Sequence, residues 1–517
     1  MNGIDFLDKG WSQNPMAACL IDGVTGERFS YEQVRMASFR NADALRRHGF
    51  GYNAKASIIS HNAVDAFIVV LSIMRGGMSY IPVNARNTLE HNAEVLAKFD
   101  CDILFLKRQF LADIPMLRKR APNIREFVCI DGSADGVASL EDWTAGASDK
   151  PFDLPHDSER IFEVLPTSAT TGFPKGVVWP NRQLESIVAN FRAVAPIDRP
   201  PIFLAVAPLT HLSGKFMNFI MSFGGAGVIV PNADRQMILQ SVEAYQVTHL
   251  FLPPTLIYDL LAEPNVREFD YSSLRYFMYS AAPMAPAKVA EAIDVFGPVM
   301  CQIYGQSEAA WLSALLPADH FVDGKIAPAS RLASCGRPLP FVVMEIMDDQ
   351  GNLLDAGQRG ELVARGLCVM REYYKDPGKT EEAFTNGWLR TGDIGYRDDD
   401  GFFYIVDRKK DMIISGGFNI YSVEVEGALL RHGAVQECAV IGIPDDRWGE
   451  KVAAYVELKA GRTIETHELI EHCRAELGAM KAPKVLFIEA LPRSPIGKVL
   501  KRTLRDRHWG GAERQVH

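Results

Sequence analysis

The segment from residue 165 to residue 177 reads L-P-T-S-A-T-T-G-F-P-K-G-V, and its residue types suit the binding of an anion. Hydroxyl side chains can donate hydrogen bonds, glycines let a ligand approach the backbone, and a lysine adds a mobile positive charge. Successive backbone N–H groups in such a turn also form an anion-binding concavity. The segment differs from the G-x-x-x-x-G-K-[ST] phosphate loop, and a solvated Ser/Thr-rich linker is the alternative on composition alone. The candidate phosphate-binding residues are Thr167, Ser168, Thr170, Thr171, Gly172 and Lys175.

A second segment, Q-I-Y-G-Q-S-E-A at residues 302–309, combines an aromatic ring with a carboxylate. Tyr304 offers a flat face to a planar base, and Glu308 is a hard oxygen ligand of the kind that Mg²⁺ takes when it bridges phosphates. The alternative is a serine hydrolase, because G-Q-S-E-A falls one residue short of the G-x-S-x-G nucleophile elbow. Ala309 replaces the last glycine of that pattern, and the neighbouring glutamate would repel an oxyanion formed at Ser307. We therefore favour a nucleotide site over a nucleophilic serine.

Two shorter segments toward the carboxyl end carry further charged groups. Asp393 lies in T-G-D, a predicted tight turn in which a carboxylate can accept two ribose hydroxyls, and Arg408 can reach the same sugar or a phosphate. Lys498 follows a glycine in the predicted turn of L-P-R-S-P-I-G-K. Each of these residues alone also fits a surface turn, an ion pair or a solvated lysine.

The composition limits the classes of protein to which the chain can belong. A length of 517 residues exceeds what one hydrophobic core organises, which predicts two or more domains. The net charge of −9 argues against non-specific binding to nucleic acid or to anionic membranes. The eight cysteines form no C-x-x-C pair, which argues against a zinc site and a disulfide framework and favours the reducing cytoplasm. We expect no signal peptide and no integral membrane segment, since the early apolar runs are too short.

The spacing of apolar residues predicts three kinds of region. Residues 30–48 read as an amphipathic helix with Ser30 as its N-cap and Gln33 as the capping-box partner. Short apolar runs that alternate with helical patterns predict βαβ units around mostly parallel sheets, up to about residue 335. Strands of period two then predict an antiparallel region, and a further α+β pattern begins after the charged residues 407–410.

Taken together, these segments resemble the adenylate-forming superfamily, which includes acyl- and aryl-CoA synthetases, the adenylation domains of peptide synthetases and firefly-type luciferases. The family pattern T-S-G-T-T-G-x-P-K-G-V matches residues 167–177, Y-G-x-T-E matches 304–308, and T-G-D matches 391–393. The family's hinge pattern resembles D-R-K-K-D-M-I-I-S-G-G-F-N-I-Y, which begins at residue 407, and its terminal P-R-T-x-x-G-K resembles residues 492–498. The resemblance covers nearly the whole chain. Any single segment could occur by chance, whereas the combination of segments is specific to the family.

The resemblance implies an α/β fold with a large N-terminal domain and a small mobile α+β C-terminal domain. In the family the large domain has three subdomains, two with mostly parallel α/β sheets and a third that is a β-barrel-like region. We expect the ATP- and acyl-binding domain at residues 1–406, a hinge at 407–411 and the alternating C-terminal domain at 412–517.

The resemblance also implies that the chain binds ATP together with Mg²⁺. The β- and γ-phosphates would lie in the loop between Thr167 and Lys175, and the adenine would stack on Tyr304. Glu308 would ligate Mg²⁺, and Lys498 would act as a catalytic residue that contacts the α-phosphate and the substrate carboxylate. The other implied nucleotide contacts are Ala281, Ala282 and Pro283 beside the adenine, Gly305, Gln306 and Ser307 in the second segment, and Asp393 and Arg408 at the ribose.

The implied reaction has two steps. ATP activates a carboxylic acid to an acyl-adenylate with release of pyrophosphate, and the acyl group is then transferred to CoA. Between the steps the small domain turns about Lys410 and presents Ser415, Gly416 and Gly417 to the pantetheine arm. A ligase that loads a separate carrier protein in place of CoA is the alternative, and a homodimer is compatible with the resemblance.

The acyl pocket implied by the resemblance is mostly apolar, which argues against small polar acids and favours a fatty or aryl acid. We expect Lys215, near this pocket, to be solvated, and the alternative is that it pairs with a second carboxylate of the substrate. The pocket residues are His211, Ser213, Met217, Ala281, Ile303 and Trp311.

Four positions depart from the family pattern. Ala169 stands where glycine is usual, so a positive φ at that position would be strained. Ser307 replaces a threonine, Asn181 replaces a histidine, and Ser422 replaces a proline that is common after N-I-Y. None of these changes removes a proposed charge or metal ligand, so we expect activity to be retained.

Overall fold

The computed structural model of the protein describes residues 1–167, 174–232, 234–493 and 499–509. The chain forms two compact units, the first made of Met1–Met344 and Ala364–Leu389, and the second of Glu345–Val363 and the chain from Arg390 onward. The expected hinge at 407–411 stays a prediction. The residues named above that lie outside the described residues are Ser168, Ala169, Thr170, Thr171, Gly172 and Lys498.

The first unit contains an eight-stranded sheet in which six neighbouring strands are parallel and two strands at one edge are antiparallel. Its central strands Ser79–Pro82 and Ile103–Leu106 are buried along their whole length, which is typical of a parallel sheet covered on both faces. The strand order is Glu372–Tyr373, Gly176–Pro180, Ile161–Pro166, Ser79–Pro82, Lys55–Ile59, Ile103–Leu106, Glu126–Cys129 and Ala138–Ser139.

The first unit also contains a nine-stranded sheet with six parallel strands, flanked by two antiparallel strands at one edge and one at the other. The strand order is Arg337–Pro338, Ala309–Leu315, Met300–Gln306, Tyr276–Tyr279, His249–Leu252, Ile202–Ala205, Ala226–Ile229, Ala18–Asp22 and Arg28–Ser30. A separate two-stranded hairpin pairs Phe321–Val322 with Lys325–Ile326. These sheets confirm the predicted α/β class.

The predicted amphipathic helix is confirmed as Tyr31–Arg47. Ser30 Oγ accepts a hydrogen bond from the Gln33 backbone N–H, and the Gln33 side chain accepts one from the Ser30 backbone N–H, so the capping box is complete. The other α-helices of the first unit are Asp5–Gln13, Val64–Arg75, Leu89–Lys98, Ile114–Arg120, Leu140–Trp143, Asn181–Val194, Leu212–Met221, Arg235–Ala244, Pro254–Leu261, Pro286–Phe296, Ala329–Leu332 and Pro377–Glu382, and the 3₁₀ turns are Arg108–Asp113, Val266–Glu268 and Pro317–His320.

A five-stranded sheet follows, in the region where the sequence predicts antiparallel strands. Its order is Val342–Met347, Gly360–Gly366, Trp388–Arg397 and Phe384–Thr385, with Phe403–Arg408 paired to Trp388–Arg397 in antiparallel register.

The carboxyl-terminal part of the second unit is a small α+β arrangement with its own apolar core. Its strands, in order, are Phe418–Ile420, Ile413–Ser415, Gly449–Leu458 and Val435–Asp445, with Val485–Ile488 paired to Gly449–Leu458. Its helices are Ser422–Arg431, Thr466–Lys481 and Lys501–Trp509. Among the helices of the described residues, none has the length and apolar character that crossing a membrane requires.

Candidate active site

The edge of the nine-stranded sheet where the parallel strands end collects several of the predicted site residues. Tyr304 lies in the strand Met300–Gln306, Ala281 lies shortly after the neighbouring strand Tyr276–Tyr279, and His211 lies beyond the carboxyl end of Ile202–Ala205. Ligands of open α/β sheets bind outside the carboxyl ends of the strands, so the topology brings these residues to a suitable edge. Residues predicted from three separate segments therefore share one edge of one sheet.

Ala281 has a backbone φ of 74°, in the region that favours glycine. Such a conformation costs on the order of 1–3 kcal/mol at a residue with a side chain, and it persists where the surrounding structure over-determines it, often at ligand sites. Ala281, Ala282 and Pro283 are all exposed. Their position is compatible with the predicted contact to an adenine.

Tyr304 and Ser307 belong to a β-hairpin made by Met300–Gln306 and Ala309–Leu315. The Trp179 indole N–H donates to the Ser307 carbonyl at 2.8 Å and holds the turn in place. A nucleophile elbow requires a strand-to-helix turn, whereas Ser307 lies between two strands. The serine hydrolase alternative is therefore contradicted by the fold.

Glu308, the predicted metal ligand, is oriented by a residue that the sequence motifs do not include. The Tyr373 hydroxyl donates a hydrogen bond to Glu308 Oε1 at 2.8 Å. Burial raises the pKa of Tyr373, and the charge of Glu308 raises it further, so the hydroxyl stays protonated and remains a donor. The backbone N–H of Met370 also donates to the Glu308 carbonyl, at 2.7 Å. Glu308 is thus positioned through both its side chain and its backbone.

Lys175 lies over the same tyrosine. Its Nζ is 4.3 Å from the centroid of the Tyr373 ring, a cation–π distance. The short strand Glu372–Tyr373 pairs with the strand that follows Lys175, with Tyr373 opposite Val177, and this pairing explains the approach. Tyr373 therefore contacts both the cation predicted to hold a phosphate and the carboxylate predicted to hold Mg²⁺. Sequence reading missed Tyr373 because its two partners lie far from it in the chain.

The hydroxyl-rich segment is closed by a hairpin between Ile161–Pro166 and Gly176–Pro180. The Thr167 backbone N–H donates to the Lys175 carbonyl at 2.9 Å, so the two ends of the loop are fixed beside each other. A Cβ on Gly176 would lie 2.8 Å from the Phe99 ring, so packing already requires that glycine. The proposed roles of the residues between Thr167 and Lys175 remain predictions.

His211 precedes the buried helix Leu212–Met221. Burial lowers its pKa to about 4, and the nearby charge of Lys215 contributes to the shift. The imidazole is therefore neutral at physiological pH, which suits a residue in contact with an apolar acid.

The prediction that Lys215 is solvated is wrong. Its side chain is buried and forms an ion pair with Glu163, which is fully buried. Burial raises the pKa of Glu163 and Lys215 opposes that shift, so the two charges stabilise each other. The physical reason is that the helix Leu212–Met221 is buried along most of its length, which places this lysine beside the buried glutamate of the strand Ile161–Pro166 and away from water. Because Glu163 already takes this lysine, a second substrate carboxylate would compete with it.

The remaining predicted pocket residues lie in an apolar and aromatic region. Trp311 is 1% exposed, and its ring centroid lies 4.6 Å from that of Phe216 and 5.1 Å from that of Phe191. Met217 and Ile303 are also buried. This region supports the expectation of a hydrophobic acid.

In the second unit, the two predicted ribose residues contact each other. Arg408 Nε lies 2.6 Å from Asp393 Oδ1, and the residues stand opposite each other on paired strands. Asp393 was expected in a tight turn but lies within the strand Trp388–Arg397. The Asp393 backbone N–H donates a hydrogen bond to the Thr391 hydroxyl at 3.1 Å. Gly392, at φ 72°, supplies the local bend that the T-G-D motif suggested.

Gly416 and Gly417 form the two-residue turn of a hairpin in which Ser415 pairs with Phe418. Both glycines have positive φ, 58° and 81°, as a tight hairpin turn requires. A Cβ on Gly416 would also lie 2.6 Å from the Trp448 ring. The backbone conformation alone explains both glycines, and their proposed contact with CoA stays a prediction.

The segment around the predicted hinge residue Lys410 is bracketed by two aspartates. Asp407 accepts hydrogen bonds from the backbone N–H and the hydroxyl of Ser422. Asp411 Oδ1 lies 2.5 Å from Arg505 Nη1. The departure from proline at Ser422 therefore has a structural role, because a proline has no N–H to donate.

The helix Lys501–Trp509 supplies positive charges beside the aspartates Asp407 and Asp411. Lys501 Nζ lies 2.7 Å from Glu426 Oε1 and 2.8 Å from Ser422 Oγ. Burial alone would lower the pKa of Lys501, but the surrounding carboxylates raise it. Lys501 and Arg505 are four residues apart and share one helix face, a signal that the sequence contained but the motifs did not include.

Comparison with known protein families identifies the chain's family. The AMP-binding enzyme model matches residues 7–374, and the model of the AMP-binding enzyme C-terminal domain matches residues 424–498. The chain belongs to the AMP-binding enzyme family. The predicted membership of the adenylate-forming superfamily is thereby confirmed.

Three similar proteins illustrate the range of the family. The medium/long-chain-fatty-acid–CoA ligase FadD8 of Mycobacterium tuberculosis is 35% identical, over 92% of this chain and 84% of that protein. The fatty acid–[acyl-carrier-protein] ligase ScoC of Streptomyces coeruleorubidus is 31% identical, over 95% of this chain and 94% of that protein. The solved structure of the amide bond synthetase McbA from Marinactinospora thermotolerans has a TM-score of 0.88 and 28% identity, over 98% of this chain and 100% of that chain.

Proposed function

We propose that the protein is an AMP-forming acid–CoA ligase that activates a hydrophobic fatty or aryl acid. The observation that carries the proposal is the contact of Tyr373 with both Lys175 and Glu308, in a chain that belongs to the AMP-binding enzyme family. This arrangement suits a nucleotide, because Lys175 could bind its phosphates directly and Glu308 could bind a metal ion that bridges them. The ligase named FadD8, at 35% identity, supports a fatty acid as substrate and CoA as acceptor.

In the first step a substrate carboxylate oxygen attacks the α-phosphorus of ATP, and the bond from that phosphorus to the pyrophosphate oxygen breaks. Negative charge builds on the phosphorus oxygens, so fixed cations stabilise the transition state more than the ground state. Lys175 is proposed to neutralise the departing phosphates and Lys498 the α-phosphate and the attacking carboxylate. One such contact lowers the activation free energy by about 3–4 kcal/mol. Asp393 and Arg408 are proposed to bind the ribose.

Glu308 is proposed to hold Mg²⁺, and its geometry fits this role. The hydrogen bond from Tyr373 occupies one oxygen of the carboxylate, which leaves the other oxygen as a metal ligand. Bound Mg²⁺ would neutralise charge on the phosphates. Tyr373 fixes the orientation of the carboxylate, as hydrogen-bonded partners of metal ligands commonly do.

In the second step the CoA thiolate sulfur attacks the acyl carbon, and the bond from that carbon to the AMP oxygen breaks. Ser415, Gly416 and Gly417 are proposed to pass beside the pantetheine arm, where the absence of bulky side chains leaves room. Lys410 remains the predicted hinge.

A ligase that loads a carrier protein is the second candidate, because the carrier-protein ligase ScoC is 31% identical over 95% of this chain. The cytoplasmic location and a homodimer stay predictions. All eight cysteines are free and buried, which is compatible with a reducing compartment.

The deciding experiment measures pyrophosphate release from ATP with a panel of fatty and aryl acids, with CoA, with a carrier protein, and with neither. Acid-dependent release followed by a CoA thioester is the expected result, and a thioester formed only on the carrier would favour the second candidate. No release with any acid would overturn the proposal.

Half-reactions then separate the proposed roles. Lys498→Ala should abolish adenylation and spare thioester formation from synthetic acyl-AMP. Lys410→Pro should do the reverse, because proline stiffens φ at the pivot. Adenylation at an unchanged rate in Lys498→Ala would remove that lysine from the mechanism.

A further inference from the structure

Trp179 lies in the strand Gly176–Pro180, which directly follows the proposed phosphate loop, and it is 2% exposed. Its indole N–H donates at 2.8 Å to the Ser307 carbonyl, which belongs to the peptide bond between Ser307 and Glu308. Ser307 and Glu308 are the two turn residues of their hairpin. A fixed carbonyl restricts the rotation of that peptide, so the indole constrains the backbone that carries the proposed metal ligand.

Two donors on one face of the eight-stranded sheet converge on this turn. Tyr373 stands opposite Val177 on paired strands, and Trp179 is two residues beyond Val177, so all three side chains share one face. Tyr373 donates to the Glu308 carboxylate, and Trp179 donates to the carbonyl that precedes Glu308. The strand that follows the phosphate loop therefore holds the proposed metal ligand at two points.

A buried ion pair lies against the indole. Glu163 stands directly opposite Trp179 in the neighbouring antiparallel strand, so their side chains lie on the same face of the sheet. Lys215, which pairs with Glu163, has its Nζ 5.5 Å from the centroid of the Trp179 ring, a cation–π distance. Glu163 is 0% exposed and Lys215 is 5% exposed, so salt and water screen this cation weakly. The indole is thus held by a cation as well as by its hydrogen bond.

The indole supplies something that apolar packing alone would not. A phenylalanine could fill much of the same space, but only the indole N–H can donate to the turn. Ser307 is only half-buried, so without the indole its carbonyl could bond to water and the turn would gain conformational freedom. A metal ligand that must be ordered during binding lowers the affinity, because the ordering costs free energy.

We propose that Trp179 is a positioning residue for the adenylation step: it fixes the turn that presents Glu308 to Mg²⁺, and Lys215 keeps its indole in place. The inference rests on the proposed function, in which Glu308 holds the metal. The buried pair of Lys215 and Glu163 then affects metal binding as well as stability.

The test measures metal binding without turnover. Mn²⁺ replaces Mg²⁺, and α,β-methylene-ATP replaces ATP because its bridging carbon cannot leave as pyrophosphate. Electron paramagnetic resonance then gives the Kd of Mn²⁺ for the protein saturated with this analogue. Trp179→Phe should raise the Kd about three- to tenfold, as the loss of one neutral hydrogen bond predicts. The Mg²⁺ concentration at half-maximal pyrophosphate release should rise by a similar factor.

Two further variants separate the hydrogen bond from the cation. If Trp179→Phe does not fold, 3-benzothienylalanine at position 179 keeps the bicyclic ring and lacks only the N–H, and the same rise is expected. The double variant Lys215→Met with Glu163→Leu removes the cation without leaving an unpaired buried charge. It should raise the Kd of Mn²⁺ about two- to fivefold, the range expected for one lost cation–π contact.

Trp143→Phe is the matched control. Trp143 Nε1 is buried with no hydrogen-bond partner among the described residues, and its ring stacks on His48, so this variant should leave the Kd unchanged. An unchanged Kd in a folded variant that lacks the N–H of Trp179, or an equal rise in Trp143→Phe, would overturn the role of Trp179. An unchanged Kd in the double variant would overturn the role of Lys215. Absence of Mn²⁺ binding by the unmodified protein with the analogue would instead reject the proposed function, on which the inference rests.

Discussion

Replacing Tyr373 by phenylalanine tests whether the candidate site depends on the orientation of the Glu308 carboxylate. The change removes one hydroxyl and keeps the ring that Lys175 covers. The hydroxyl donates to Glu308 Oε1 at 2.8 Å, and a hydrogen bond to a charged group contributes about 1.5–3 kcal/mol. Since each 1.4 kcal/mol corresponds to about tenfold in rate, we expect kcat/KM for ATP to fall about ten- to a hundredfold.

The assay is acid-dependent pyrophosphate release at increasing concentrations of Mg²⁺. A Glu308 carboxylate that has lost its orienting hydrogen bond should bind the metal more weakly, so the Mg²⁺ concentration at half-maximal rate should rise in Tyr373→Phe. Glu308→Gln should have a larger effect, because it removes the charge as well as the orientation. A general loss of stability would lower the rate without shifting the Mg²⁺ dependence.

Tyr374→Phe is the matched control. The neighbouring Tyr374 hydroxyl also donates to a carboxylate, Asp100 Oδ2, at 2.7 Å, but Asp100 belongs to no proposed site. Both variants therefore lose one charge-assisted hydrogen bond. If Tyr373→Phe and Tyr374→Phe changed kcat/KM and the Mg²⁺ dependence equally, the orienting role of Tyr373 would be refuted.

Three further substitutions have expected outcomes. Lys215→Met should lower the free energy of unfolding in urea by about 3–5 kcal/mol, because it leaves the buried Glu163 unpaired. Adding Glu163→Leu should restore most of the lost stability. If stability did not recover in the double variant, the ion pair between Lys215 and Glu163 would be refuted. Asp411→Asn should lower stability at neutral pH, and its difference from the unmodified protein should vanish in acid. The folded pKa of this carboxyl lies below 3.8, so its stabilisation is complete above 3.8 and is lost as the pH falls through the lower folded value. In half-reaction assays, Gly416→Ala should slow thioester formation and spare adenylation. Gly401→Ala is the control, because Gly401 also has positive φ but has open space around it, and this variant should slow neither half-reaction. Equal slowing of thioester formation in both variants would point to backbone strain alone.

The helix Tyr31–Arg47 and the mostly parallel sheets could be predicted because their signals are local. A capping box places Ser30 and Gln33 three residues apart, and the alternation of short apolar runs with helical patterns indicates βαβ units directly. Asp393 shows the limit of the same method. The T-G-D motif suggested a turn, but pairing with the strand Phe403–Arg408 keeps Asp393 in an extended strand.

In the candidate site, too, some residues could be proposed from local motifs and others could not. Motifs allowed Lys175 and Glu308 to be proposed, because the residue types and their spacing are visible in the sequence. Tyr373 could not be identified, since it lies 65 residues from Glu308 and reaches it only through the pairing of a two-residue strand. The partner of Lys215 could not be predicted, because no residue near it in the sequence carries an opposite charge.

The sequence by itself determined the family, the two-step chemistry that the family implies and most of the residues proposed to perform it. These properties depend on short runs whose members are neighbours in the chain. Tertiary structure decided which partner each charge has: Glu163 for Lys215 at a separation of 52 residues, and Asp411 for Arg505 at a separation of 94. The order of strands in a sheet and the burial of a helix face create such contacts. Neither feature can be predicted from the spacing of residues that are neighbours in the chain.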